Sequence, residues 1–398
     1  MAGVVIVGAG QAAASAAARL RALGYARPIT VIGAEPVAPY QRPPLSKGYL
    51  LGQMPLERLL LRAPEYWAEH DVGLRLGAPV SAIDRAAKLV RVAGEALAYS
   101  ALILATGAVP RRLPAATGGD LGGVHLVRSL ADVDAMAPAM QPGARLVVVG
   151  GGYIGLEAAA VARKLGLQVT LVEAAPRILG RVASAETANE IRALHARHGV
   201  TIIEGVGIAR LAGQGRVRAV ELADGRSLAA DLVVVGIGIA PATALAEAAG
   251  LALENGIAVN DFGCTSDPSI WAAGDCAAFP HAGARLRLES VGNAIDMAEC
   301  VAENIMGAGR AYLPKPWFWS DQYDVKLQIA GLNSGYDKVV ARRAEGTSHW
   351  YFRGETLLAV DALNDARAYM IGKRLIEAGR SPDAAAVADT TTDLKALL

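Results

Sequence analysis

Two glycine-rich segments constrain this chain more than any other feature of its sequence. They occupy residues 8–13 (GAGQAA) and 150–155 (GGGYIG), and each follows a short apolar run, at residues 4–7 and 146–149. Between a strand and a helix, the first glycine makes a tight turn, the second lets the backbone approach a pyrophosphate, and the third position allows close helix–strand packing. The helix N-terminus then offers N–H groups and partial positive charge to the phosphates. The pair therefore predicts two dinucleotide sites in one chain.

A carboxylate ends the next predicted strand in each copy. Glu35 and Glu173 each follow a run of β-branched and apolar residues. A carboxylate at this position accepts hydrogen bonds from an adenosine ribose and repels a 2′-phosphate. Each site is therefore expected to take a dinucleotide without a 2′-phosphate, an inference that the nearby Arg177 and Arg181 weaken for the second site.

Composition and charge exclude several classes of function. The formal net charge of the 398 residues is +1, so bulk electrostatics indicate no nucleic-acid partner. No apolar run approaches the length of a membrane span. The N-terminus has no basic segment before its first apolar run, so we expect a cytoplasmic protein without membrane association. We also expect a monomer or a weak dimer.

The spacing of cysteine and histidine indicates neither a disulfide framework nor a metal site. Cys264, Cys276 and Cys300 form no Cys-x-x-Cys pair, and we interpret all three as buried small residues. His195 and His198 lie three apart on a polar predicted helix, which we interpret as a solvated face.

The first part and the middle of the chain repeat one construction. Residues 102–110 and 232–241 each form an apolar run that leaves through a Gly-x-x-Pro turn. Each copy therefore predicts a doubly wound α/β unit with parallel strands. From about Lys315 the pattern changes to alternating strands and a closing helix near residues 366–378, which predicts an α+β domain with a mostly antiparallel sheet.

Six segments carry a resemblance to a known family over essentially the whole chain. They are residues 42–47 (RPPLSK), 105–107 (ATG), 150–157, 274–276 (GDC), 289–291 (ESV) and 317–322 (WFWSDQ). In these segments the chain resembles the FAD-dependent, NADH-using ferredoxin reductases of the putidaredoxin reductase type. The resemblance implies a glutathione-reductase-like architecture of two Rossmann-like domains and a C-terminal α+β domain. The implied boundaries are residues 1–112 and 243–315 for the FAD-binding domain, 113–242 for the NADH-binding domain and 316–398 for the C-terminal domain.

By this resemblance FAD lies on the first unit. The residues expected to contact it are Gly8, Gly10, Ala12, Ala13, Glu35, Arg42, Lys47, Val80, Thr106, Gly107, Arg128, Gly274, Asp275, Val291 and Trp319. Arg42 and Arg128 are candidates for the pyrophosphate. Asp275 is expected to bind the ribityl chain, to cap a helix, or both, and Val291 to begin a helix that faces the flavin. Ala13 stands where many relatives have glycine, a change that its packing role tolerates.

Lys47, Glu157 and Trp319 are expected to take part in the chemistry. An ammonium group stabilises negative charge where it develops on a reduced flavin, and the resemblance implies that Lys47 lies beside the flavin, paired with Glu157. Trp317 and Trp319 share a face if their segment is a strand. The resemblance implies that Trp319 packs against the flavin and lines the route to the electron acceptor.

By the same resemblance NADH lies on the second unit. The residues expected to hold it are Gly150, Gly152, Tyr153, Ile154, Gly155, Glu173 and Gly238. Tyr153 either gates the nicotinamide or packs as an ordinary aromatic side chain, and the sequence leaves both open.

The resemblance implies an NADH-dependent ferredoxin reductase. FAD would accept a hydride from NADH and pass electrons singly to a 2Fe–2S ferredoxin that supplies a cytochrome P-450 monooxygenase. Residues 43–47 contain no cysteine, so electrons are expected to leave without a sulfur relay. Three alternatives stay open: the reductase component of a Rieske dioxygenase, a reductase of rubredoxin or quinone, and a flavoprotein whose NADH-bound state signals to a partner.

Overall fold

The computed structural model describes residues 2–398 and divides them into two compact units. Unit 1 contains the residues up to Gln41, Pro55–Val109 and Ile239–Pro316. Unit 2 contains Arg42–Met54, Pro110–Gly238 and Trp317–Leu398. The chain therefore passes from one unit to the other several times.

The strands, in chain order, are β1 (Gly3–Val7), β2 (Ile29–Ile32), β3 (Val72–Arg75), β4 (Val80–Asp84), β5 (Leu89–Val92), β6 (Glu95–Leu104), β7 (Ala108–Pro110), β8 (Val124–His125), β9 (Arg145–Val149), β10 (Gln168–Glu173), β11 (Thr201–Glu204), β12 (Ile208–Gln214), β13 (Arg216–Leu222), β14 (Ser227–Ala229), β15 (Leu232–Val235), β16 (Ile239–Pro241), β17 (Ile257–Ala258), β18 (Ile270–Ala272), β19 (Ala277–His281), β20 (Ala284–Leu286), β21 (Trp317–Gln322), β22 (Val325–Gly331), β23 (Lys338–Arg343), β24 (Thr347–Arg353) and β25 (Thr356–Leu363). The helices are α1 (Gln11–Ala22), α2 (Leu56–Leu59), α3 (Pro64–Glu69), α4 (Leu130–Met136), α5 (Tyr153–Lys164), α6 (Ala185–Arg197), α7 (Ala244–Ala248), α8 (Val291–Ile305), α9 (Ala366–Glu377) and α10 (Ala384–Ala388). No helix in residues 2–398 combines the length and the apolar character needed to span a membrane.

Unit 1 is built on a sheet of order β3-β2-β1-β6-β5-β4, with β18 also paired to β6. The strands β3, β2, β1, β6 and β18 run parallel. Both faces of β1 are buried, as expected for a parallel strand covered on two sides. The alanine-rich helix α1 packs closely against α8, because small side chains such as Ala13, Ala16 and Ala17 let the two backbones approach.

Unit 2 contains two larger sheets with different topologies. The first is parallel, of order β11-β10-β9-β15-β8. The second is antiparallel, of order β21-β22-β25-β24-β23, and α9 packs on β22 and β25. The predicted parallel units, the antiparallel C-terminal sheet and the closing helix are confirmed.

The internal repeat is confirmed strand by strand. In unit 1 the fingerprint strand β1 lies between β2 and β6, and in unit 2 the fingerprint strand β9 lies between β10 and β15. In both sheets the connection from the first strand goes to one neighbour, and the other neighbour is a later strand. This arrangement is a topological switch point, where open α/β sheets bind ligands at the carboxyl ends of their strands.

Candidate functional site

The first fingerprint forms a tight turn that only glycine fits. Gly8 has φ +114°, and a Cβ atom added to it would lie 2.1 Å from the carbonyl oxygen of Ala105. Gly10 stands at the N-cap of α1, and no atom lies within 4 Å of the place that its Cβ would take. The chain thus crowds the first glycine and leaves open space at the second, which fits a ligand that approaches the backbone there.

The second fingerprint repeats this geometry with one added restriction. Gly150 has φ +106° and its Cβ would lie 2.3 Å from the Gly236 carbonyl oxygen, whereas Gly152 again faces open space. At the third position, a Cβ on Gly155 would lie 2.1 Å from the Gly150 carbonyl oxygen. The equivalent Ala13 is accommodated in the first copy, fully buried.

Helix capping separates the two fingerprint helices from the other long helices in the described chain. Side-chain oxygens of Ser184, Ser290 and Asp365 cap α6, α8 and α9 by accepting a backbone N–H of the first turn. The N-termini of α1 and α5 have no side-chain cap and no acidic residue in the first turn. Unpaired N–H groups beside open glycines form a ready-made site for an anion. The residues therefore fit two pyrophosphate groups.

The other predicted FAD residues of unit 1 follow neighbouring parallel strands. Glu35 comes after β2, Thr106 and Gly107 after β6, and Gly274 and Asp275 after β18. Their strands lie side by side, so these residues meet at the edge of the sheet where Gly8 also lies. The remaining predicted contacts lie on other elements: Ala12 on α1, Val80 on β4 and Val291 at the start of α8.

Hydrogen bonds refine several of these assignments. The Tyr40 hydroxyl donates to Glu35 Oε2 over 2.6 Å, which holds the carboxylate in place. Thr106 Oγ1 donates to the Ala242 carbonyl oxygen at 2.7 Å, so this side chain holds a neighbouring turn. The helix-cap interpretation of Asp275 is wrong, because the residues after it enter strand β19. Gly274, with φ +80°, lets its turn approach Ala12 of α1.

In unit 2, all the predicted NADH residues lie around the second fingerprint. Glu173 ends β10, and its two carboxylate oxygens accept the backbone N–H groups of Gly151 at 2.6 Å and Ala175 at 2.7 Å. Gly238 follows β15, the neighbour on the other side. The Arg177 guanidinium donates to backbone carbonyls that include Ala183 and Ser184, so its donors are already engaged within its own loop.

Lys47 and Glu157 form a buried ion pair in unit 2. Lys47 Nζ lies 2.9 Å from Glu157 Oε2, and the Ser46 hydroxyl donates to the same oxygen at 2.6 Å. Glu157 is 1% exposed on α5. Burial raises the pKa of its carboxyl, and Lys47 with its hydrogen-bonding neighbours acts in the opposite direction. A carboxylate in this position neutralises the ammonium and fixes its direction.

The aromatic residues of β21 use both faces of the strand. The Trp317 and Trp319 rings stack with centroids 5.5 Å apart, as the strand assignment predicted. Phe318 lies on the opposite face, 4.8 Å from the Tyr153 ring. The Tyr153 hydroxyl is buried without a hydrogen-bond partner, and burial raises the pKa of its phenol well above the usual value. Ile154 is exposed beside it.

Arg42 and Arg128 come together in unit 2. Arg42 Nη1 donates to the Arg128 carbonyl oxygen at 2.7 Å. The two candidate cations for the pyrophosphate therefore belong to one local arrangement.

Sequence reasoning missed a buried polar group beside this site. His195 is fully buried, so its interpretation as part of a solvated face is wrong. Its Nε2 lies 2.7 Å from Gln322 Oε1, and Gln322 Nε2 donates to Ser320 Oγ. His195 follows Ile191 by four residues and Leu194 by one, within the stripe that α6 buries. That helical spacing was the available indication.

The cysteines lie away from the Lys47–Glu157 pair in the sequence and belong to unit 1. Cys276 and Cys300 are buried as predicted, whereas Cys264 is only half-buried. Burial raises the pKa of all three thiols, which disfavours the reactive thiolate. Within residues 2–398, no three side chains of the metal-binding types gather into a candidate metal site.

Comparison with known proteins gives a match along nearly the whole chain. Residues 2–298 match the family model for pyridine nucleotide-disulphide oxidoreductases, and residues 317–398 match the reductase C-terminal model. The chain is 44% identical to a ferredoxin–NAD(P)(+) reductase of Sphingomonas sp., over 94% of this chain and 92% of the relative.

Two solved structures are similar over the full length. The covalent putidaredoxin reductase–putidaredoxin complex matches with a TM-score of 0.96 and 39% identity, over 100% of this chain and 98% of that chain. The ferredoxin reductase for the CYP199A2 system from Rhodopseudomonas palustris matches with a TM-score of 0.96 and 38% identity, over 100% of both chains.

Proposed function

This chain belongs to the pyridine nucleotide-disulphide oxidoreductase family, and we propose that it carries electrons from NADH through FAD to a 2Fe–2S ferredoxin that supplies a cytochrome P-450 monooxygenase. It is an oxidoreductase of the ferredoxin reductase type, with FAD and a pyridine nucleotide as cofactors. We further propose that it prefers NADH and serves a P-450 system, with the domain boundaries and residue roles given below.

The observation that carries the proposal is the Lys47–Glu157 ion pair, whose lysine lies on a segment without cysteine. Residues 42–54 contain no thiol, and the three cysteines of the chain all stand elsewhere in the sequence. Electrons therefore have no sulfur relay along this segment and pass to an external acceptor. When bound, FAD would accept two electrons from NADH together and pass them on one at a time. One NADH and two oxidised ferredoxins give NAD⁺, one proton and two reduced ferredoxins.

The chain's own residues bind, orient and neutralise charge. The open first turns of α1 and α5 would hold the pyrophosphates of FAD and NADH, with Glu35 and Glu173 at the adenosine riboses. The Lys47 ammonium, oriented by Glu157, would lie at the flavin and stabilise negative charge there. Trp319 would shield the ring and line the path to the ferredoxin.

We place FAD on residues 1–112 and 243–315, NADH on 113–242, and the cover of the flavin on 316–398. The reductase C-terminal match to residues 317–398 supports the last of these. Support for a P-450 system comes from the Rhodopseudomonas palustris reductase, which is described as serving the CYP199A2 system.

Reconstitution tests the proposal. When mixed with NADH and a 2Fe–2S ferredoxin, the purified holoprotein should reduce two ferredoxins per NADH, much faster than the flavin reoxidises in air. Product formation should then follow when a P-450 is added, and a Rieske oxygenase in its place tests the dioxygenase alternative. Faster reduction of rubredoxin would favour a rubredoxin reductase. A long-lived NADH-reduced protein that no ferredoxin discharges would favour the signalling flavoprotein.

A further inference from the structure

A chain of buried side chains leads from α6 to the Lys47–Glu157 ion pair. His195 Nε2 lies 2.7 Å from Gln322 Oε1, Gln322 Nε2 lies 3.0 Å from Ser320 Oγ, and Ser320 Oγ lies 2.7 Å from Glu157 Oε1. Each of these four residues is at most 1% exposed. They come from α6, β21 and α5, so tertiary packing alone brings them together.

The hydrogen bonds of this chain all point the same way. An ionised carboxylate only accepts, so the Ser320 hydroxyl must donate to Glu157. The Ser320 oxygen then accepts from the Gln322 amide nitrogen, which leaves the Gln322 oxygen facing His195. His195 must therefore carry its proton on Nε2, and its Nδ1 is free to accept from the Tyr323 hydroxyl at 3.4 Å. Donors aligned head to tail polarise one another and strengthen the last bond.

Burial shifts the pKa values of both His195 and Glu157, the two ends of this series of hydrogen bonds. Burial lowers the pKa of His195 to about 4, so its imidazole is neutral and offers one donor and one acceptor, as the chain requires. Burial also raises the pKa of Glu157, which favours the protonated form. Ser46, Ser320 and Lys47 each donate to the ionised form. Removing one of them therefore destabilises the ionised Glu157 carboxylate.

We propose that Ser320, Gln322 and His195 are positioning residues that keep the Glu157 carboxylate ionised and aimed at Lys47. The proposal rests on the function proposed above, in which Lys47 acts at the flavin. The three residues touch neither cofactor in this scheme and act only through Glu157.

The charged and titratable groups that face Glu157 come from the elements that pack against α5. Lys47 approaches from the segment after Pro43–Ser46, and the uncharged Ser320 approaches from β21. Tyr153, one turn earlier on α5, has its phenol pKa raised by burial and stays neutral. At their buried positions β9, β10 and β15, which also contact α5, contribute valine and leucine.

The experiment removes this series of hydrogen bonds at two residues, Ser320 and His195, and restores it at His195. Ser320→Ala removes the hydroxyl that donates to Glu157, and His195→Leu removes the imidazole that donates to Gln322. His195→Gln keeps an amide N–H in place of Nε2–H, and Gln168→Leu, at an exposed position of β10, is the matched control. Each FAD-loaded protein is mixed with NADH alone in a stopped-flow instrument across a pH series.

We expect the acid limb of the reduction rate to move upward in Ser320→Ala by about one pH unit or more, since a hydrogen bond to a charged group is worth at least about one pKa unit. A smaller shift in the same direction is expected in His195→Leu, with the wild-type profile in His195→Gln and Gln168→Leu. Infrared difference spectra should show the protonated Glu157 band at a higher pH in the two cut variants.

Two results would overturn the proposal. One is an acid limb and a carboxyl band that stay in place in folded, FAD-loaded Ser320→Ala. The other is nitrogen NMR of labelled histidine that places the His195 proton on Nδ1. Ferredoxin is absent from all of these measurements, so a protein that NADH reduces but no ferredoxin oxidises would contradict the proposed function and leave this inference standing.

Discussion

The two fingerprint sites share their phosphate-binding geometry and differ in what stands behind it. Both helices begin with an open glycine and no side-chain cap. Two residues after the third fingerprint position, however, α1 carries the half-buried Ser15 and α5 carries the buried Glu157. Ser15 accepts a 3.3 Å hydrogen bond from Gln11 on its own helix, whereas Glu157 forms an ion pair with Lys47. The open, uncapped helix start is thus the repeated property, and the Lys47–Glu157 ion pair is an addition to one copy.

Lys47→Ala should have the largest effect on that asymmetry, because it leaves Glu157 buried without its counter-ion. Removing one partner of a buried pair costs about 3–5 kcal/mol, which should appear in the free energy of unfolding in urea. The stopped-flow rate of flavin reduction by NADH should fall about 100-fold, while the Kd for NADH changes much less.

Two further variants separate stability from chemistry. Lys326→Ala, at an exposed position of β22, should change neither quantity. In the double variant Lys47→Ala with Glu157→Gln the buried charge is gone, so stability should return while the rate stays low. Recovery of both would reduce the ion pair to a structural element.

Acid should lower the stability of the α5 copy in particular, since hydrogen bonds connect Glu157 of α5 to the buried His195. The pKa of His195 is lowered by burial from the usual 6.5 to about 4. Between these values the unfolded chain binds a proton that the folded chain does not, so stability falls as the pH drops from about 6.5 to about 4, by up to about 3 kcal/mol.

His195→Gln removes this titration and should flatten the stability curve in that window, as measured by urea unfolding at several pH values. His349, whose pKa burial also lowers, keeps part of the slope. Identical slopes for wild type and His195→Gln would contradict a buried neutral imidazole.

Exchanging the third fingerprint residues tests how closely the turns match. Gly155→Ala puts a Cβ 2.1 Å from the Gly150 carbonyl oxygen, and overpacking of this kind costs about 1–3 kcal/mol. NADH affinity should fall by about tenfold or more, while FAD stays bound. Ala13→Gly introduces no clash and should cost only about 1 kcal/mol of stability, with both nucleotides retained. Unchanged NADH binding in Gly155→Ala would show that the second turn tolerates the side chain.

The sequence was informative where a function depends on neighbours along the chain. The turns at Gly8 and Gly150 and their parallel strands are local patterns, and both were predicted. The Lys47–Glu157 pair came only from the family resemblance, since its members are 110 residues apart. His195 was misinterpreted because its partner Gln322 is 127 residues away. Asp275 was misinterpreted as a possible cap because Asp suits a helix start and a turn equally well.

The smallest effect is expected from the two carboxylates that we assign to the adenosine riboses, Glu35 and Glu173. Glu173→Ala should lower the ratio of kcat/KM for NADH over NADPH by about fivefold to tenfold, because the charge that repels a 2′-phosphate is lost. The preference should weaken without reversing, since Arg177 is engaged with the backbone of its own loop and offers that phosphate no new partner. Glu35→Ala, the matched change in the first copy, should loosen FAD and leave the nucleotide ratio as it was. If Glu35→Ala moved the ratio and Glu173→Ala did not, the assignment of the two nucleotides to the two copies would have to be exchanged.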